Sequence, residues 1–257
     1  EEAIGMDESA AMAVRRKRKS SIHEGARLVR AGDVRGFVSA GNTGAVMAVA
    51  KVIIGTLDGI DRPALAVVLP TQKRPAVVLD VGAVIDPKPD QLLQFAVMGS
   101  YFADDQLGIE RPRVGLLSIG EEDIKGNDLI RAAHGLLRDT PLNFIGNVEA
   151  SDLYGGRCDV VVCDGFTGNI LLKTSEAASE VLGHLLREEF TRTLAGRVAG
   201  LLARGAFGRL RRRVDYAEFG GAPLLGVRGL TIICHGRSSA RAIRNAVRVA
   251  MEHAEHG

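Results

Sequence analysis

Short apolar runs alternate with polar, glycine-containing turns and with longer stretches of helical periodicity along most of the chain. Residues 159–174 show the unit most clearly, because DVVVC predicts a buried strand, DGFTGN a turn, and ILLKT the start of a helix. The same order of strand, polar turn and helix occurs around GFVSA, VGLLSI and LTIIC. Strands that alternate with helices in this way predict an α/β fold with a mainly parallel sheet.

One pair of predicted strands interrupts this alternation. Within residues 64–80, the apolar runs ALAVVLP and AVVLD are separated only by TQKRP. This linker is too short for a helical crossover, so the pattern predicts an antiparallel hairpin. We therefore expect a mixed sheet, parallel over most of its width.

Five polar turns follow predicted strands and carry most of the candidate chemistry. Parallel strands with helical crossovers bring such turns to one crevice, so we expect a single site. Glycines with Asn, Thr, Ser and Lys side chains suit a phosphate-like anion, because amides and one cation bind negative charge without a metal. We expect Gly165 and Gly168 to leave N–H groups facing outward at a helix N-terminus. A cap that Thr167 or Asn169 forms on its own helix is the competing interpretation. The turns are residues 39–44, 80–82, 120–127, 164–169 and 235–239.

Composition and charge narrow the class of protein. A chain of 257 residues, 46% of them hydrophobic, can bury a large core as one domain or as two closely packed lobes. The net charge of +2 gives no global sign of a nucleic-acid partner, and no apolar run of about 18 residues is present to span a membrane. Three cysteines without a CxxC pair suit buried thiols in the reducing cytosol.

Motifs for metals and cofactors are missing from the sequence. The six histidines are scattered and no Cys or His pair has ligand spacing, so we expect no transition metal. Neither GxGxxG nor GxxxxGK(S/T) occurs, which argues against dinucleotide and P-loop chemistry. The chain opens on Glu rather than Met and starts without a strand pattern, so we expect an N-terminal portion to be absent.

Residues 190–215 combine an apolar helical face with a cluster of arginines that includes Arg209 and Arg212. We expect Gly205 and Gly208 to divide this segment into two helices, which form a protruding amphipathic hairpin. Such a hairpin suits anionic lipid or an acidic protein. Packing on the protein's own core or on a second subunit explains the pattern equally well. The apolar face carries Phe190, Leu194, Val198, Leu201 and Leu202.

Ordered blocks over almost the whole chain closely resemble the phosphate acyltransferase family of bacterial phospholipid synthesis. The blocks are SAGNTGA at 39–45, DRPALA at 61–66, LDVGA at 79–83 with DPKP at 86–89, QFAVMGS at 94–100, PRVGLLSIGEEDIKGN at 112–127, NFIGNVE at 143–149, DVVVCDGFTGNILLKT at 159–174, GGAPLLG at 220–226 and HGRSS at 235–239. The resemblance implies a Rossmann-like three-layer α/β/α fold similar to isopropylmalate dehydrogenases and phosphotransacetylases. It also implies an enzyme that forms acyl phosphate from acyl-acyl carrier protein and inorganic phosphate, as a homodimer at the membrane surface.

The resemblance and the chemistry of the turns together suggest roles for named residues. Phosphate must attack a thioester carbonyl, and ionised phosphate needs no covalent enzyme nucleophile. We expect Lys125 to position phosphate or stabilise the oxyanion, with Asn127 as a further donor; a plain surface lysine is the alternative. Cys163 is a disfavoured nucleophile, because we expect its strand to bury it. The residues expected to hold substrate, orient donors or steer protons are Ser39, Asn42, Thr43, Asp80, Glu121, Asp164, Thr167, Asn169 and His235.

Two departures from the family pattern limit what the resemblance implies. The strand and Asp/Gly-rich loop that family members have before SAGNTGA are missing, and Val84 stands where the family pattern LDVGAN has Asn. We expect acidic acyl carrier protein to dock on residues 15–19 or 209–213, and the hairpin to meet an anionic membrane. A phosphotransacetylase-like enzyme that uses acyl-coenzyme A, and a non-catalytic membrane or carrier-protein adaptor, are the rival functions.

Overall fold

A computed structural model describes residues 2–214 and 221–256. Its strands are β1 (Gly36–Ser39), β2 (Ala64–Leu69), β3 (Ala76–Leu79), β4 (Val114–Leu117), β5 (Phe144–Val148), β6 (Val160–Val162), β7 (Ala222–Leu225) and β8 (Leu230–Ile233). Its helices are α1 (Ala10–Arg16), α2 (Ser21–Ala31), α3 (Thr43–Val49), which continues as a π-helical turn over Ala50–Ile54, α4 (Pro89–Leu107), α5 (Asp128–Arg138), α6 (Ala150–Gly155), α7 (Gly165–Arg192), α8 (Leu194–Leu202), α9 (Arg204–Val214) and α10 (Ala240–His256).

All eight strands form one mixed sheet in the order β1-β8-β7-β2-β3-β6-β4-β5. Parallel pairs join β1 to β8, β3 to β6, β6 to β4 and β4 to β5. The predicted hairpin is confirmed, since β2 and β3 pair antiparallel with Ala66 opposite Leu79. The strand β7 was not predicted, because its short run lies between glycines and looked like a loop.

Strand direction reverses across this sheet. β7 is antiparallel to β8, β2 is antiparallel to β7, and β3 is antiparallel to β2. Because these three reversals lie between β8 and β3, the β3, β6, β4 and β5 strands run opposite to β1 and β8. The carboxyl ends of the two groups therefore lie at opposite edges of the sheet.

We name these the Asp80 edge, which carries the turns at 80–82, 120–127 and 164–169, and the His235 edge, which carries the turns at 39–44 and 235–239. The prediction that all five turns line one crevice at a single edge was wrong. It assumed that every helix-linked strand runs the same way, whereas the unpredicted β7 adds the reversals that turn β1 and β8 around.

Helices cover both faces of the sheet. Val78 of β3 and Val161 of β6 face one layer, where they pack in a buried cluster with Leu171 of α7 at its border. The next residue along β3, Leu79, faces the opposite layer and packs in the cluster that holds Phe95 of α4. This alternation with a period of two is expected for strands buried on both faces. The three-layer α/β/α prediction is confirmed.

The helical segment after α7 differs in its boundaries from the prediction. The chain leaves the helix at Thr193, whose backbone is extended and whose Oγ1 accepts from the N–H of Gly196 at 2.9 Å. The second break falls at Ala203, between α8 and α9. Gly205 and Gly208 lie inside α9, so the prediction that they break the run was wrong. Side-chain capping by Thr193, rather than glycine, defines the first boundary.

The helices α7, α8 and α9 present apolar side chains to solvent. Phe190 lies in the last turn of α7 and packs edge-on against Phe207 of α9, with ring centroids 5.0 Å apart, so it does not share a helix with the other predicted residues. Arg209 is exposed, and the side chain of Arg212 lies outside the described residues. No helix within residues 2–214 and 221–256 is both long and apolar enough to cross a bilayer. The exposed apolar residues of α8 are Leu194, Val198, Leu201 and Leu202.

Candidate active site at the Asp80 edge

Three neighbouring strands, β3, β6 and β4, bring three of the predicted turns together. Adjacent strands lie about 4.8 Å apart, so these turns start within about 10 Å of one another along the edge. The order along the edge is the turn at 80–82, the start of α7, and then the loop at 118–127. This edge is therefore the part of the fold where the polar groups of several blocks can act on one molecule.

The first turn is organised around the buried side chain of Asp80, which is inaccessible to solvent. Burial raises the pKa of this carboxyl group, while hydrogen bonds from four backbone amides oppose the rise. The turn's amides thus point at the protein's own carboxyl group and are not free for an external anion. The donors are the N–H groups of Leu65, Gly82, Ala83 and Val84, at 2.5–3.1 Å.

The start of α7 is satisfied internally in the same way. Asp164 caps the helix, because its carboxylate accepts from the N–H of Thr167 at 2.8 Å and from its hydroxyl at 2.7 Å. The N–H of Gly165 donates to the carbonyl of Val84, and that of Gly168 donates to Asp164. The prediction of outward-facing glycine amides was wrong, and a cap formed by Asp164 takes their place.

The two glycines are needed instead for close packing. A Cβ at Gly165 would lie 2.7 Å from Oδ2 of Asp80, and a Cβ at Gly168 would overlap the backbone carbonyl oxygen of Asp80. The first turn of α7 thus rests directly on the turn after β3. One tight unit joins the ends of β3 and β6.

Asn169 differs from its neighbours in this unit. Its side chain is half-buried beside Gly82, whose Cβ position lies 3.9 Å from Cγ of Asn169. Among the residues that the structure describes, no hydrogen bond engages its amide group. Asn169 is therefore a polar side chain at the Asp80 edge that can still bind a ligand.

The loop at 118–127 presents the second such group, the ammonium of Lys125. The backbone carbonyl of Glu122 accepts from the N–H of Lys125 at 2.9 Å and from Nδ2 of Asn147 at 2.8 Å. Asn127 caps α5, because its Oδ1 accepts from the N–H of Ile130 at 2.9 Å. The side chain of Lys125 is exposed and has no ion pair or hydrogen bond within residues 2–214 and 221–256. The backbone of this loop is therefore fixed by hydrogen bonds at Glu122, while the side chain of Lys125 is available to a ligand.

Two of the three acidic residues of this loop are paired with neighbouring elements. Glu121 lies 2.8 Å from Nη1 of Arg157, so this predicted substrate-binding carboxylate has a partner inside the fold. Asp123 lies 3.2 Å from Nε2 of the buried His134 on α5. Among the residues that the structure describes, no ion pair or side-chain hydrogen bond neutralises the charge of Lys125 or of Glu122 in this loop.

At the opposite His235 edge, most polar side chains are committed to local structure. Oγ of Ser39 accepts from the N–H of Gly41 at 3.2 Å. Asn42 is buried; its Oδ1 caps α3 and its Nδ2 donates to three backbone carbonyls of residues 5–8. Thr43 is half-buried, and Nδ1 of the exposed His235 accepts from the N–H of Arg237. The structure does not bring these residues to the edge that carries Lys125.

The cysteines offer no reactive thiolate. Cys163 is 1% exposed, its Sγ donates to the carbonyl of Asp80, and burial raises its pKa well above the ordinary value. Burial also raises the pKa of Cys158, to about 11, and that of Cys234. An acyl-enzyme on Cys163 would need a buried, protonated thiol to attack. Within residues 2–214 and 221–256, no cluster of three or more His, Cys, Asp or Glu side chains suits a metal ion.

Comparison with known proteins identifies the family of this site. The family model described as "Fatty acid synthesis protein" matches residues 1–257. The phosphate acyltransferase of Acidobacterium capsulatum is 55% identical over 256 residues, an alignment that covers 100% of this chain and 76% of the relative. That of Heliobacterium modesticaldum is 51% identical and covers 98% of this chain and 75% of the relative. The chain belongs to the phosphate acyltransferase family. It is therefore an acyltransferase of fatty acid and phospholipid synthesis.

Solved structures agree on the fold of this phosphate acyltransferase family member. The EutD phosphotransacetylase from Staphylococcus aureus aligns with a TM-score of 0.60 at 16% identity, covering 95% of this chain and 74% of that one. A branched-chain phosphotransacylase from Enterococcus faecalis aligns with a TM-score of 0.61 at 15% identity, covering 92% of this chain and 79% of that one. The predicted similarity to phosphotransacetylase folds is confirmed.

Three residues that hold the Lys125 loop were not predicted from the sequence. His134 contacts Asp123, Asn147 donates to the backbone carbonyl of Glu122, and Arg157 pairs with Glu121. A signal for Asn147 was present, since it is an amide inside the apolar strand run FIGNV within a block that resembles the family. The other two lie outside the turns on which the sequence argument concentrated.

Proposed function

We propose that this chain transfers an acyl group from the thioester of acyl carrier protein to inorganic phosphate. The observation that carries the proposal is the uncommitted ammonium of Lys125, on a loop held in place by Asn147, together with the half-buried amide of Asn169. Both lie at one edge of a fold whose family is named for acyl transfer to phosphate. The N–H groups of Gly82, Ala83, Val84, Gly165 and Gly168 are bound internally, so we assign the contacts to substrate to these two side chains.

In the reaction that we propose, an oxygen of hydrogen phosphate attacks the thioester carbonyl carbon and forms a C–O bond. The carbonyl oxygen becomes an oxyanion, which collapses as the C–S bond breaks. The proton of hydrogen phosphate passes to the departing thiolate, so the products are acyl phosphate and the free thiol. Lys125 neutralises the phosphate or the oxyanion, and the amide of Asn169 donates to the same oxygens. Neither step needs an enzyme nucleophile.

Asp80 and Asp164 act as internal anions rather than as bases in this proposal. Each holds a turn in one conformation through backbone N–H groups, so the side chains that face substrate do not have to reorganise during the reaction. Asn127 contributes through its cap on α5, which fixes the end of the Lys125 loop. Substrate contacts by Thr43 and His235, whose turns lie at the other edge, stay predictions.

Formation of acyl phosphate tests the proposal directly. The chain is incubated with phosphate and either acyl-acyl carrier protein or acyl-coenzyme A, and acyl phosphate is trapped as its hydroxamate. We expect product with the carrier-protein thioester and little with the coenzyme A thioester. Preferential use of acyl-coenzyme A would instead support a phosphotransacetylase-like enzyme. Binding of carrier protein without turnover of either thioester would support an adaptor.

The docking of acyl carrier protein is proposed on basic surfaces. Arg15, Arg16, Arg18 and Lys19 are exposed around the end of α1, whereas Lys17 pairs with Glu8. Long-range attraction to an acidic partner weakens within a Debye length as salt rises, so the rate of acyl transfer should fall with ionic strength. A rate independent of salt, measured at saturating phosphate, would contradict this docking mode.

We also propose that α8 and α9 rest on an anionic membrane surface while α7 packs against a second copy of the chain. The exposed Leu201 and Leu202 are suited to insertion between lipids, and Arg209 is suited to the headgroups. The exposed Val181 and Leu182 line an open apolar depression on α7 that suits a homodimer. The enzyme would then act as a cytoplasmic protein attached peripherally to the membrane.

Sedimentation with phosphatidylglycerol vesicles tests the membrane contact. Leu201→Glu combined with Leu202→Glu should abolish sedimentation, because it places two carboxylates where the side chains enter the lipid. Val52→Glu is the control, since Val52 is also an exposed aliphatic residue but lies in the π-helical turn after α3. Sedimentation of the double variant at the wild-type level would contradict the proposal.

A further inference from the structure

We infer that Asn147 is a positioning residue for Lys125, acting through the backbone of the loop that carries this cation. The inference rests on the proposed function, because it assigns Lys125 to the acyl-transfer step. Asn147 does not touch substrate; it lies on β5, beneath the loop, and is 1% exposed. Its role follows from three features of the contact that it makes.

The first feature is that Asn147 and Lys125 share one acceptor. The carbonyl oxygen of Glu122 accepts from Nδ2 of Asn147 at 2.8 Å and from the backbone N–H of Lys125 at 2.9 Å. A single peptide group therefore connects the buried strand to the residue that carries the cation. Movement of that carbonyl would move Lys125 with it, and a shift of about 1 Å in a group that contacts substrate can slow a reaction 100-fold.

The second feature is a bulge that aims Asn147 at the loop. Val114 of β4 pairs with Phe144 of β5, but Leu116 pairs with Asn147, so β5 has one extra residue between these pairs. Gly146 adopts a φ of +90° within the bulge. In an unbroken register Leu116 would face Gly146, and Asn147 would point to the other face of the sheet. The bulge therefore places the amide beneath the turn that it holds.

The third feature is the cost of an amide at this position. Oδ1 of Asn147 is buried and has no hydrogen-bond partner among the residues that the structure describes. A buried acceptor without a partner is unfavourable, and an apolar residue in an apolar strand would avoid it. The hydrogen bond from Nδ2 to the carbonyl of Glu122 is thus the favourable contact that an amide makes at this position.

Three variants and two measurements test this inference. Asn147→Leu keeps the size of the side chain but loses the donor. Asn147→Asp keeps its shape and can donate only when protonated, which burial favours as pH falls. Thr231→Val is the matched control, since Thr231 is a fully buried strand residue whose hydroxyl has no partner among the described residues and which lies on β8. The measurements are tryptic cleavage after Lys125, followed by mass spectrometry, and the rate of acyl phosphate formation against phosphate concentration.

We expect Asn147→Leu to speed cleavage after Lys125 by about tenfold or more, because the loop opens locally. It should also lower kcat/KM for phosphate by about tenfold or more. Asn147→Asp should resemble Asn147→Leu at pH 8 and regain activity at pH 6, each relative to wild type at the same pH. The ratio removes pH effects that are common to both proteins, including any that arise from the charged groups around the loop, namely Glu121, Asp123, His134 and Arg157. Thr231→Val should match wild type in both measurements.

Several outcomes would overturn the inference. One is wild-type cleavage after Lys125 together with wild-type kcat/KM in Asn147→Leu. Another is cleavage that increases equally at all sites, which would make Asn147 a general stability residue. Equal loss of activity by Asn147→Asp at both pH values would exclude the hydrogen bond as the cause. If wild type itself forms no acyl phosphate, the proposed function fails, whereas the cleavage pattern still decides whether Asn147 holds the loop.

Discussion

The turn after β3 and the loop after β4 lie one strand apart at the same edge, yet they use their polar groups in opposite ways. In the first, four amides converge on the buried carboxyl group of Asp80. In the second, the backbone is held by Asn147 while the ammonium of Lys125 stays exposed and unpaired within the described part of the chain. The amides of the turn after β3 are bound to an internal carboxylate, whereas the cation of the loop after β4 is available to an external anion.

This contrast shows how a glycine-rich polar turn should be interpreted. Such a turn can bind an anion only with groups that the fold has not already engaged. Asp80 and Asp164 occupy the anion positions that the sequence pattern assigned to phosphate. In the function that we propose, Lys125 and Asn169 recognise substrate at this edge, and each prediction below tests one side of the contrast.

The largest effect is expected at the open loop. Lys125→Ala should lower kcat for acyl phosphate formation by about 100- to 1000-fold, the range found when one group that stabilises a transition-state oxyanion is removed. Lys73→Ala is the control, because Lys73 is also an exposed lysine but lies in the β2–β3 hairpin. Steady-state kinetics on folded proteins measures both, and a near-normal rate for Lys125→Ala would remove this residue from the mechanism.

A change in the turn after β3 should lower the stability of the protein. Asp80→Ala leaves buried amides without their acceptor, so the free energy of unfolding should fall by about 3 kcal/mol. For a chain of this size the melting temperature should fall by about 10 °C. Urea unfolding gives the measurement, with the exposed Asp139→Ala as control. A stable variant would show that the turn does not depend on its internal anion.

Near the start of α7, Asn169 has a free amide group whereas the hydroxyl of Thr167 is bound to Asp164. Asn169→Ala should lower kcat/KM for phosphate about tenfold, because it removes one donor to the substrate. Thr167→Val should keep activity and lose about 1 kcal/mol of stability, because the Thr167 hydroxyl only strengthens the cap. Kinetics and thermal unfolding of the two variants separate the roles, and the reverse pattern would reassign substrate binding to Thr167.

The smallest effect is expected at Val84. Its backbone N–H donates to Asp80 and its carbonyl accepts from Gly165, so the turn is built from its main chain. Val84→Asn restores the family pattern. It should change kcat by no more than about threefold and the free energy of unfolding by no more than about 0.5 kcal/mol. A large gain in kcat would show instead that an amide at this position contacts substrate.

Much of the fold followed from the spacing of apolar residues. The hairpin over β2 and β3 was predicted because its linker is too short for a helix, and the buried strand at 160–162 because it is continuously apolar. Strand β7 was missed, since four residues between glycines carry too little periodicity to identify a strand. That omission also placed Ser39 and His235 at the wrong edge, because strand direction depends on the number of antiparallel neighbours.

The sequence by itself determined the α/β class, the family and the turns that carry Lys125 and Asn169, because these depend on local pattern and ordered blocks. Tertiary structure alone decided which polar groups remain free. Asp80, Asp164, Asn42 and Asn127 have the residue types of ligand contacts, but each is bound to backbone N–H groups within its own turn or helix. Hydrogen-bonding capacity is a property of a residue, whereas its use depends on what the fold places within about 3 Å of it.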